Sequence, residues 1–447
     1  MAISNPFLLA VRGIALFCLL AFAEVARATE DPEDSQGDWK AELRRYLEAS
    51  TEEERAPLLE GLEAIPVDDL REELIRLDAE PREPFTPGRH DIDVAIAGTD
   101  LTSRYVLVIP EDYDPAQEWP LWIAMHGTSG SGNDCAQFLR KETAKHRFVL
   151  ACPTAHESHR SRGWGFTPEE RALTLSVLAD VKRRVRVDPD RVILSGWSRG
   201  GHATFDVAVH HPGLFAGVQP VTGAPRAHYF GMLRNLGDPS VYILNGANDD
   251  ERLMIAVRNG VEYLTKKIRA DVTYVEDPER GHDLLLEHLP DAADAMMAAR
   301  RDASPDRIVV AAHADARTEG AWLRIDAVNG EVHRPGAGLR IPGYRASASE
   351  ESKLSAAHKA VFDATGWVEA KRGRNAFSLK ADGVLKVTLL LDADAIDWKR
   401  NVRVTLGGKR LFSDKVQPSA RTLLEGYHAR RDIGRLFLAE LPIELTK

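Results

Sequence analysis

The sequence predicts an α/β protein built on a doubly wound, mainly parallel sheet, with a small helical region before the sheet and a β-rich domain after it. Three observations predict this architecture. Short apolar, β-branched runs alternate with helical stretches through the middle of the 447-residue chain. Leucines at three- and four-residue steps precede this region. Short strands with a Gly407-Gly408 hairpin turn follow it.

The middle of the chain supplies the predicted sheet. Its predicted strands are residues 105–109, 121–125, 148–151, 192–194, 241–244 and 272–275, and its predicted helices are residues 134–145, 168–185, 200–211, 251–268 and 284–300. Strands separated by helices pair in parallel, because a parallel pair needs a long crossover connection. Continuous apolar runs in such strands indicate a sheet that is covered on both faces.

Shifts in composition divide the chain into four predicted segments. These are a signal peptide (1–28), a helical region with a linker (29–90), the α/β domain (91–302) and a β-rich accessory domain (307–447). Prolines among charged residues mark the first linker at residues 79–90. The last segment is expected to contain short strands and one helix, near residues 418–429.

The first 28 residues predict a secretory signal. Arg12 precedes the eleven apolar residues Gly13–Ala23, and Ala26-Arg27-Ala28 offers a cleavage site that would leave Thr29 as the first mature residue. The alternative is a membrane anchor, but this run falls short of the roughly 20 residues that span a bilayer. We therefore expect a secreted or periplasmic protein with no stable membrane span after cleavage.

Charge and cysteine content bound the partners and the redox chemistry. The chain has 58 Lys and Arg against 68 Asp and Glu, and this net charge of −10 argues against a nucleic-acid partner. Removal of the signal leaves Cys135 and Cys152. An exported pair can form a disulfide, but cysteines also pack as buried free thiols, so both alternatives stay open. The oligomeric state is not readable from the sequence.

The strongest chemical signal is Gly196-Trp197-Ser198-Arg199-Gly200. The predicted strand Arg191–Ser195 ends just before it, and a predicted helix begins just after it. A nucleophilic serine on a tight strand-to-helix turn needs this context, because glycines on either side let the strand and the helix approach without Cβ clashes. Ser198 is therefore the predicted nucleophile.

A nucleophilic serine needs a histidine to accept its proton and a carboxylate to orient that histidine. The strand at 241–244 ends in a segment that places Asp249 or Asp250 at the edge of the sheet. His282 lies on a loop before the last helix of the α/β domain. The chain order Ser, Asp, His is that of an α/β-hydrolase rather than of other triad folds.

Residues from about 100 to 300 resemble an α/β-hydrolase of the esterase type, akin to the phospholipase/carboxylesterase, feruloyl esterase and polyhydroxybutyrate depolymerase-like groups. His126-Gly127-Thr128 resembles the oxyanion-hole turn of this family, Gly246–Asp249 its acid turn and Gly281-His282 its histidine turn. The resemblance favours Asp249 over Asp250 as the triad acid, and the other aspartate would then be a helix N-cap.

Three further residues complete the predicted site. The tetrahedral intermediate needs two backbone N–H donors, for which Arg199 and Thr128 are the candidates, with Ser129 as a substitute for Thr128. Trp164 lies on a loop at the same edge of the sheet and is the predicted substrate contact. In the structural alternative, Trp164 closes its loop against the sheet.

These features predict an exported serine hydrolase that cleaves carboxylic esters, small or polymer-linked, through an acyl-enzyme. The triad reaction needs no cofactor, and no catalytic metal is expected, because the sequence contains no HExxH or CxxC motif. Two alternatives stay open: a serine peptidase of the same fold, and a non-catalytic binding or cell-envelope protein that uses the hydrolase scaffold.

Overall fold

The structure, a computed structural model, describes residues 38–82, 84–156, 164–314, 317–330, 341, 345 and 347–445. The predicted signal peptide at residues 1–28 lies outside the described residues. Contacts divide the chain into two compact units, Met1–Pro66 and Val67–Lys447. None of the helices in the described ranges combines the length and the apolar character needed to span a bilayer.

The first unit contains helices α1 (Asp38–Glu48) and α2 (Glu52–Leu62), which pack against each other. Helix α2 begins with a capping box, in which the Thr51 hydroxyl accepts a hydrogen bond from the Glu54 amide and the Glu54 carboxylate accepts one from the Thr51 amide. The buried side chains are Leu43, Tyr46, Leu47, Leu59 and Leu62. The leucine spacing in the sequence therefore does mark the apolar faces of helices.

The second unit begins with helix α3 (Val67–Asp78), which is followed by an eight-stranded sheet. Its strands are β1 (Gly88–Ala95), β2 (Thr102–Ile109), β3 (Trp119–Met125), β4 (Val149–Thr154), β5 (Val187–Trp197), β6 (Gly217–Val221), β7 (Ser240–Gly246) and β8 (Val272–Asp277). The spatial order is β1-β2-β4-β3-β5-β6-β7-β8. The pairs β1/β2 and β2/β4 are antiparallel, and all the others in this sheet are parallel. The predicted mainly parallel sheet is confirmed.

Helices cover both faces of this sheet. They are α4 (Gly132–Lys145), α5 (Pro168–Arg184), α6 (Arg199–His210), α7 (Glu251–Glu262) and α8 (Leu289–Ala298). Successive residues of a strand point to opposite faces, so Ile123 and Leu194 pack under α5, α6 and α7, whereas Trp122 and Ile193 pack under α4 and α8. The sheet is therefore doubly wound.

Two strands of the sheet, β1 and β6, were not among those predicted. Strand β6 is central, but its sequence contains Gly217 and Pro220, which are typical of loops and sheet edges. Pro220 lies opposite Gly196 in the β5/β6 pairing. The sequence of β6 therefore resembles that of a loop, and its strand conformation depends on pairing with neighbouring strands.

The two cysteines whose pairing the sequence left open are free thiols. Both Cys135 and Cys152 are buried in the apolar layer between α4 and the sheet. Burial raises the pKa of the Cys152 thiol well above its usual range, and the neighbouring Cys135 adds to this effect. In this state the pair contributes packing as small apolar side chains.

The C-terminal part contains two further sheets. Its strands are β9 (Arg307–Ala312), β10 (Thr318–Glu319), β11 (Leu323–Val328), β12 (Gly366–Gly373), β13 (Ala376–Asp382), β14 (Val384–Asp392), β15 (Val402–Leu406), β16 (Lys409–Asp414) and β17 (Phe437–Glu444). They form a four-stranded sheet, β10-β11-β14-β17, and a five-stranded sheet, β16-β15-β13-β12-β9, which share one apolar core. The predicted Gly407-Gly408 turn joins β15 to β16, with both glycines at positive φ.

The expectation of one helix in this part was wrong. The structure contains α9 (Glu350–Asp363) as well as α10 (Ala420–Arg430). Helix α9 packs on the α/β region, where the His358 ring stacks on Phe230 with centroids 4.1 Å apart. The packing of α9 on the α/β region crosses the predicted boundary between the α/β domain and the accessory domain. The predicted domain boundaries stay predictions.

Candidate active site

Ser198 lies at the sharp turn between β5 and α6. Its backbone has φ 57° and ψ −114°, a strained conformation for a residue with a side chain, with a cost on the order of 1–3 kcal/mol. The Ser198 amide donates a 2.9 Å hydrogen bond to the Val221 carbonyl at the end of β6. Strand β6, which was not predicted, thus positions the backbone of the predicted nucleophile.

The glycines on either side of Ser198 are required by close backbone approach. A Cβ on Gly196 would lie 2.4 Å from the Gly200 carbonyl oxygen. A Cβ on Gly200 would lie 2.2 Å from the Met125 carbonyl oxygen at the end of β3. Neither distance is compatible with a side chain, so the turn can close only with glycine at both positions.

The structure brings Ser198, His282 and Asp249 together. Ser198 Oγ lies 2.7 Å from His282 Nε2, and His282 Nδ1 lies 2.8 Å from Asp249 Oδ2. The Asp249 side chain is 4% exposed, whereas that of His282 is 44% exposed. The neutral imidazole can therefore donate its Nδ1 proton to Asp249 and accept the hydroxyl proton of Ser198 at Nε2.

The two candidate aspartates have different partners. Asp249 contacts His282, and its other oxygen accepts the amide of Asp250. Asp250 is the N-cap of α7, where one carboxylate oxygen accepts the amides of Arg252 and Leu253. Of the two alternatives, the geometry places Asp249 beside the histidine and Asp250 at the helix start.

The loop after β3 passes close to the nucleophile. A Cβ on Gly127 would lie 2.5 Å from the Trp197 ring and 3.4 Å from Ser198 Cβ. Thr128 and Ser129, which follow Gly127, are exposed, and Ser129 has φ 60°. Arg199 is the first residue of α6. The two predicted oxyanion donors therefore belong to segments that flank Ser198, and their role stays a prediction.

His126 holds this loop in place. Its Nε2 accepts a hydrogen bond from the Ala155 amide at 3.0 Å, so Nδ1 is the protonated nitrogen and donates to the Gly127 carbonyl at 2.6 Å. The Trp164 indole N–H donates to the His126 carbonyl at 2.9 Å. Trp164 is only 3% exposed, which favours the loop-closing alternative over substrate contact.

A second histidine, His202, lies one helical turn after Ser198. Its Nδ1 lies 3.0 Å from the Ala224 amide and 2.7 Å from the Ala224 carbonyl oxygen. Burial, with Arg226 next in effect, lowers the pKa of His202 to about 4. His202 is thus a neutral packing residue near neutral pH, which leaves His282 as the base in contact with Ser198.

Within the ranges that the structure describes, one group of side chains has the spacing of a metal site. The ligand atoms of Asp277, Glu287 and His288 all lie within 4.8 Å of one another. His288 Nε2 is 2.8 Å from Asp277, and Glu287 is 2.7 Å from Arg280. These ion pairs already account for the cluster, and the reaction proposed below does not use it.

Sequence comparison finds distant relatives, although no family model matches the chain. NocK of Nocardia uniformis subsp. tsuyamanensis, named as an esterase, is 30% identical over 114 residues, which are 23% of this chain and 33% of NocK. Poly(3-hydroxyalkanoate) depolymerase C of Paucimonas lemoignei is 28% identical over 124 residues, 24% of this chain and 28% of that protein. A protein of Aspergillus terreus named as feruloyl esterase C is 22% identical over 174 residues, 37% of this chain and 61% of that protein.

Each match spans less than two thirds of the relative's own length. Among solved structures, a thermostable esterase superposes with a TM-score of 0.39 at 17% identity, over 48% of this chain and 63% of that one. The sequence comparisons confirm the predicted resemblance to α/β-hydrolases of the esterase type.

Proposed function

We propose that this chain is a serine hydrolase that cleaves carboxylic esters through an acyl-enzyme. The observation that carries the proposal is the series of hydrogen bonds from Ser198 through His282 to Asp249 at a strained strand-to-helix turn. The names of the three relatives support an ester as the substrate.

In the first half of the proposed reaction, Ser198 Oγ attacks the carbonyl carbon while His282 Nε2 takes the hydroxyl proton. The bond to the alcohol oxygen then breaks, and the imidazolium gives that proton to the leaving alcohol. Asp249 keeps the Nδ1 proton on the side away from the serine, so that Nε2 is the nitrogen that accepts. The same carboxylate stabilises the imidazolium while it exists.

In the second half, water takes the place of the alcohol. His282 removes a proton from the water, which attacks the acyl carbon, and Ser198 leaves with that proton. In both halves the negative oxygen forms between the two segments that flank Ser198. The amides of Arg199 and Thr128 are assigned as its donors, each with a contribution on the order of 3 kcal/mol.

We also propose that the mature chain is exported and acts on esters outside the cytoplasm. The support is the apolar run Gly13–Ala23 followed by the Ala26-Arg27-Ala28 cleavage pattern. The protein recovered from the periplasm or the medium is expected to begin at Thr29. A cytoplasmic protein that retains residues 1–28 would contradict export and leave the proposed chemistry untouched.

The test of the chemistry is labelling with a fluorophosphonate probe, which reacts with activated serines, followed by location of the adduct by mass spectrometry. We expect the adduct on Ser198 and its loss in Ser198→Ala, with a fall in ester hydrolysis of roughly 10³- to 10⁶-fold. Ser195→Ala is the matched control, because Ser195 is a buried serine in β5, three residues before Ser198, whose hydroxyl accepts the Trp122 indole N–H. That variant should label like the wild type.

A folded protein without an adduct would contradict the proposal and favour the non-catalytic alternative. An adduct on Ser198 with hydrolysis of peptide 4-nitroanilides but not of 4-nitrophenyl esters would favour the peptidase. A panel of acetyl, feruloyl and longer acyl esters then defines the acyl preference.

A further inference from the structure

Two guanidinium groups lie against one aromatic ring beside the nucleophile. The Cζ atom of Arg199 is 4.6 Å from the centroid of the Phe166 ring, and that of Arg226 is 4.8 Å from it. We call Arg199, Phe166 and Arg226 the arginine rim. The reaction proposed above uses the backbone amide of Arg199 but neither arginine side chain.

The rim lies on the reaction side of the sheet. Arg199 follows Ser198 directly, and Arg226 lies in the segment after β6, the strand whose carbonyl at Val221 accepts the Ser198 amide. Phe166 follows Trp164, whose indole N–H bonds the loop that flanks the nucleophile. After burial itself, Arg226 is the largest influence that lowers the pKa of His202, to which Arg199 and His282 also contribute. The rim and the proposed triad therefore share one electrostatic environment.

Arg226 has no acidic partner among the described residues. Its Nε is buried and makes no hydrogen bond there, and no carboxylate lies within salt-bridge distance of its guanidinium. The buried carboxylate that it does influence, Asp206, is held by Arg171 at 3.0 Å. Arg226 thus carries a positive charge that no carboxylate of the described residues pairs, in a chain whose net charge is −10.

We propose that Arg226 binds a carboxylate of the substrate beside the Phe166 ring, so that the preferred esters carry a free carboxylate close to the scissile bond. This inference rests on the proposed esterase function and names the substrate class of the same site. A guanidinium suits the task because its planar N–H groups match the two oxygens of a carboxylate. The Phe166 ring offers an apolar wall for the carbon skeleton that bears the carboxylate.

The test compares esters that differ in one charge. The first pair, 4-acetoxybenzoate and its methyl ester, places the charge on the alcohol side of the scissile acetyl bond. The second pair, monomethyl adipate and dimethyl adipate, places it on the acyl side. In at least one pair, we expect kcat/KM for the charged ester to exceed that for the neutral one by roughly 10- to 100-fold, the range for a hydrogen bond to a charged group. The pair that shows the preference identifies the side of the bond that faces Arg226.

Substitutions then assign the preference to the rim. Arg226→Gln is expected to lower kcat/KM for the charged ester by roughly 10-fold or more, with less than about a 2-fold change for the neutral ester. Arg226→Lys keeps the charge without the planar fork and should retain part of the preference. Arg410→Gln, at an exposed arginine on β16, is the matched control and should change neither ester.

Binding supplies a readout that needs neither activity nor the Arg226 variants. Benzoate should bind Ser198→Ala, measured by calorimetry, at least 10-fold more tightly than benzamide, and added NaCl should weaken it. Equal rates for charged and neutral esters, an equal loss of both in Arg226→Gln, or equal binding of benzoate and benzamide would overturn the inference. If the neutral ester is hydrolysed only when Ser198 is present, the proposed function stands whichever way the charge comparison falls.

Discussion

The His282–Asp249 pair and the Arg301–Asp432 pair use similar bonds for different purposes. The first joins its partners at 2.8 Å and the second at 2.6 Å. The His282 side chain is 44% exposed, whereas those of Arg301 and Asp432 are 4% and 0% exposed. Length alone therefore does not separate a reactive pair from a structural one. The two pairs differ in that His282 is accessible to other molecules and can gain and lose a proton, whereas the Arg301 guanidinium is buried and keeps its proton.

The surroundings of Arg301 show why that pair is fixed. Its guanidinium also bonds Asp190, in β5, at 2.7 Å and the Gly213 carbonyl at 3.0 Å, so it fastens the α/β region to the segment that precedes β17. Burial alone would raise the pKa of Asp432, but Arg301 and Lys182 hold that pKa well below its usual range. Arg301 and Asp432 are thus each paired with an opposite charge.

Of the substitutions that distinguish the two pairs, Asp249→Asn is expected to have the largest effect. The amide would donate to His282 Nδ1 and so favour the wrong tautomer, with Nε2 protonated and unable to accept from Ser198. We expect kcat for ester hydrolysis to fall roughly 10⁴-fold. The free energy of unfolding should change by no more than about 1 kcal/mol, because one hydrogen bond is replaced by another.

The neighbouring aspartate provides the control for this change. Asp250→Asn keeps a side-chain oxygen that can cap α7, since asparagine and aspartate are comparable N-caps. Its kcat should match that of the wild type. A loss in Asp250→Asn as large as that in Asp249→Asn would mean that the acidic turn as a whole, rather than the bond to His282, is needed.

The second effect is on stability and is expected from Asp432→Asn. The substitution leaves Arg301 buried with only part of its charge compensated, which typically costs about 3–5 kcal/mol. Urea unfolding should measure this loss, while kcat per folded molecule stays unchanged. Asp394→Asn, at an exposed loop position, is the control. An activity loss in Asp432→Asn that exceeds the unfolded fraction would show that the junction also shapes the site.

The same contrast explains what the sequence could predict. The strand, the turn and the helix around Ser198 are contiguous, and glycine spacing at such a turn has a local steric cause, so the motif was readable. Asp249 and His282 follow two strand ends, and parallel strands bring their carboxyl ends to one edge of the sheet. The predictable part of the candidate site is therefore the part that backbone geometry dictates within a few residues.

The features that were missed depend on partners distant in the sequence. Arg301 and Asp432 are 131 positions apart, and no local pattern relates them. Strand β6 resembles a loop until its neighbours pair with it. Helix α9 buries only His358 and Val361 along its length, so its sequence lacks a continuous apolar stripe. The arginine rim requires segments that meet only after the sheet has formed.

The smallest of the three effects is on the pH dependence of stability. It concerns His358, a buried side chain at the contact between α9 and the α/β region. His358 stacks on Phe230, its Nδ1 lies 3.2 Å from the side-chain nitrogen Nδ2 of Asn259, and burial lowers its pKa to about 4. Because this pKa is below the unfolded value near 6.5, the neutral ring's contribution to stability is complete above pH 6.5. It is lost as the pH falls through 4.

Between those two pH values, the shift corresponds to a loss of about 3 kcal/mol from the free energy of unfolding. His358→Phe keeps the aromatic stack but cannot be protonated, so the difference in stability between pH 8 and pH 4 should be smaller in this variant by about that amount. Urea unfolding at the two pH values measures it, and the values at pH 8 serve as the internal reference. Equal acid sensitivity in the two proteins would mean that α9 leaves the α/β region before His358 is protonated.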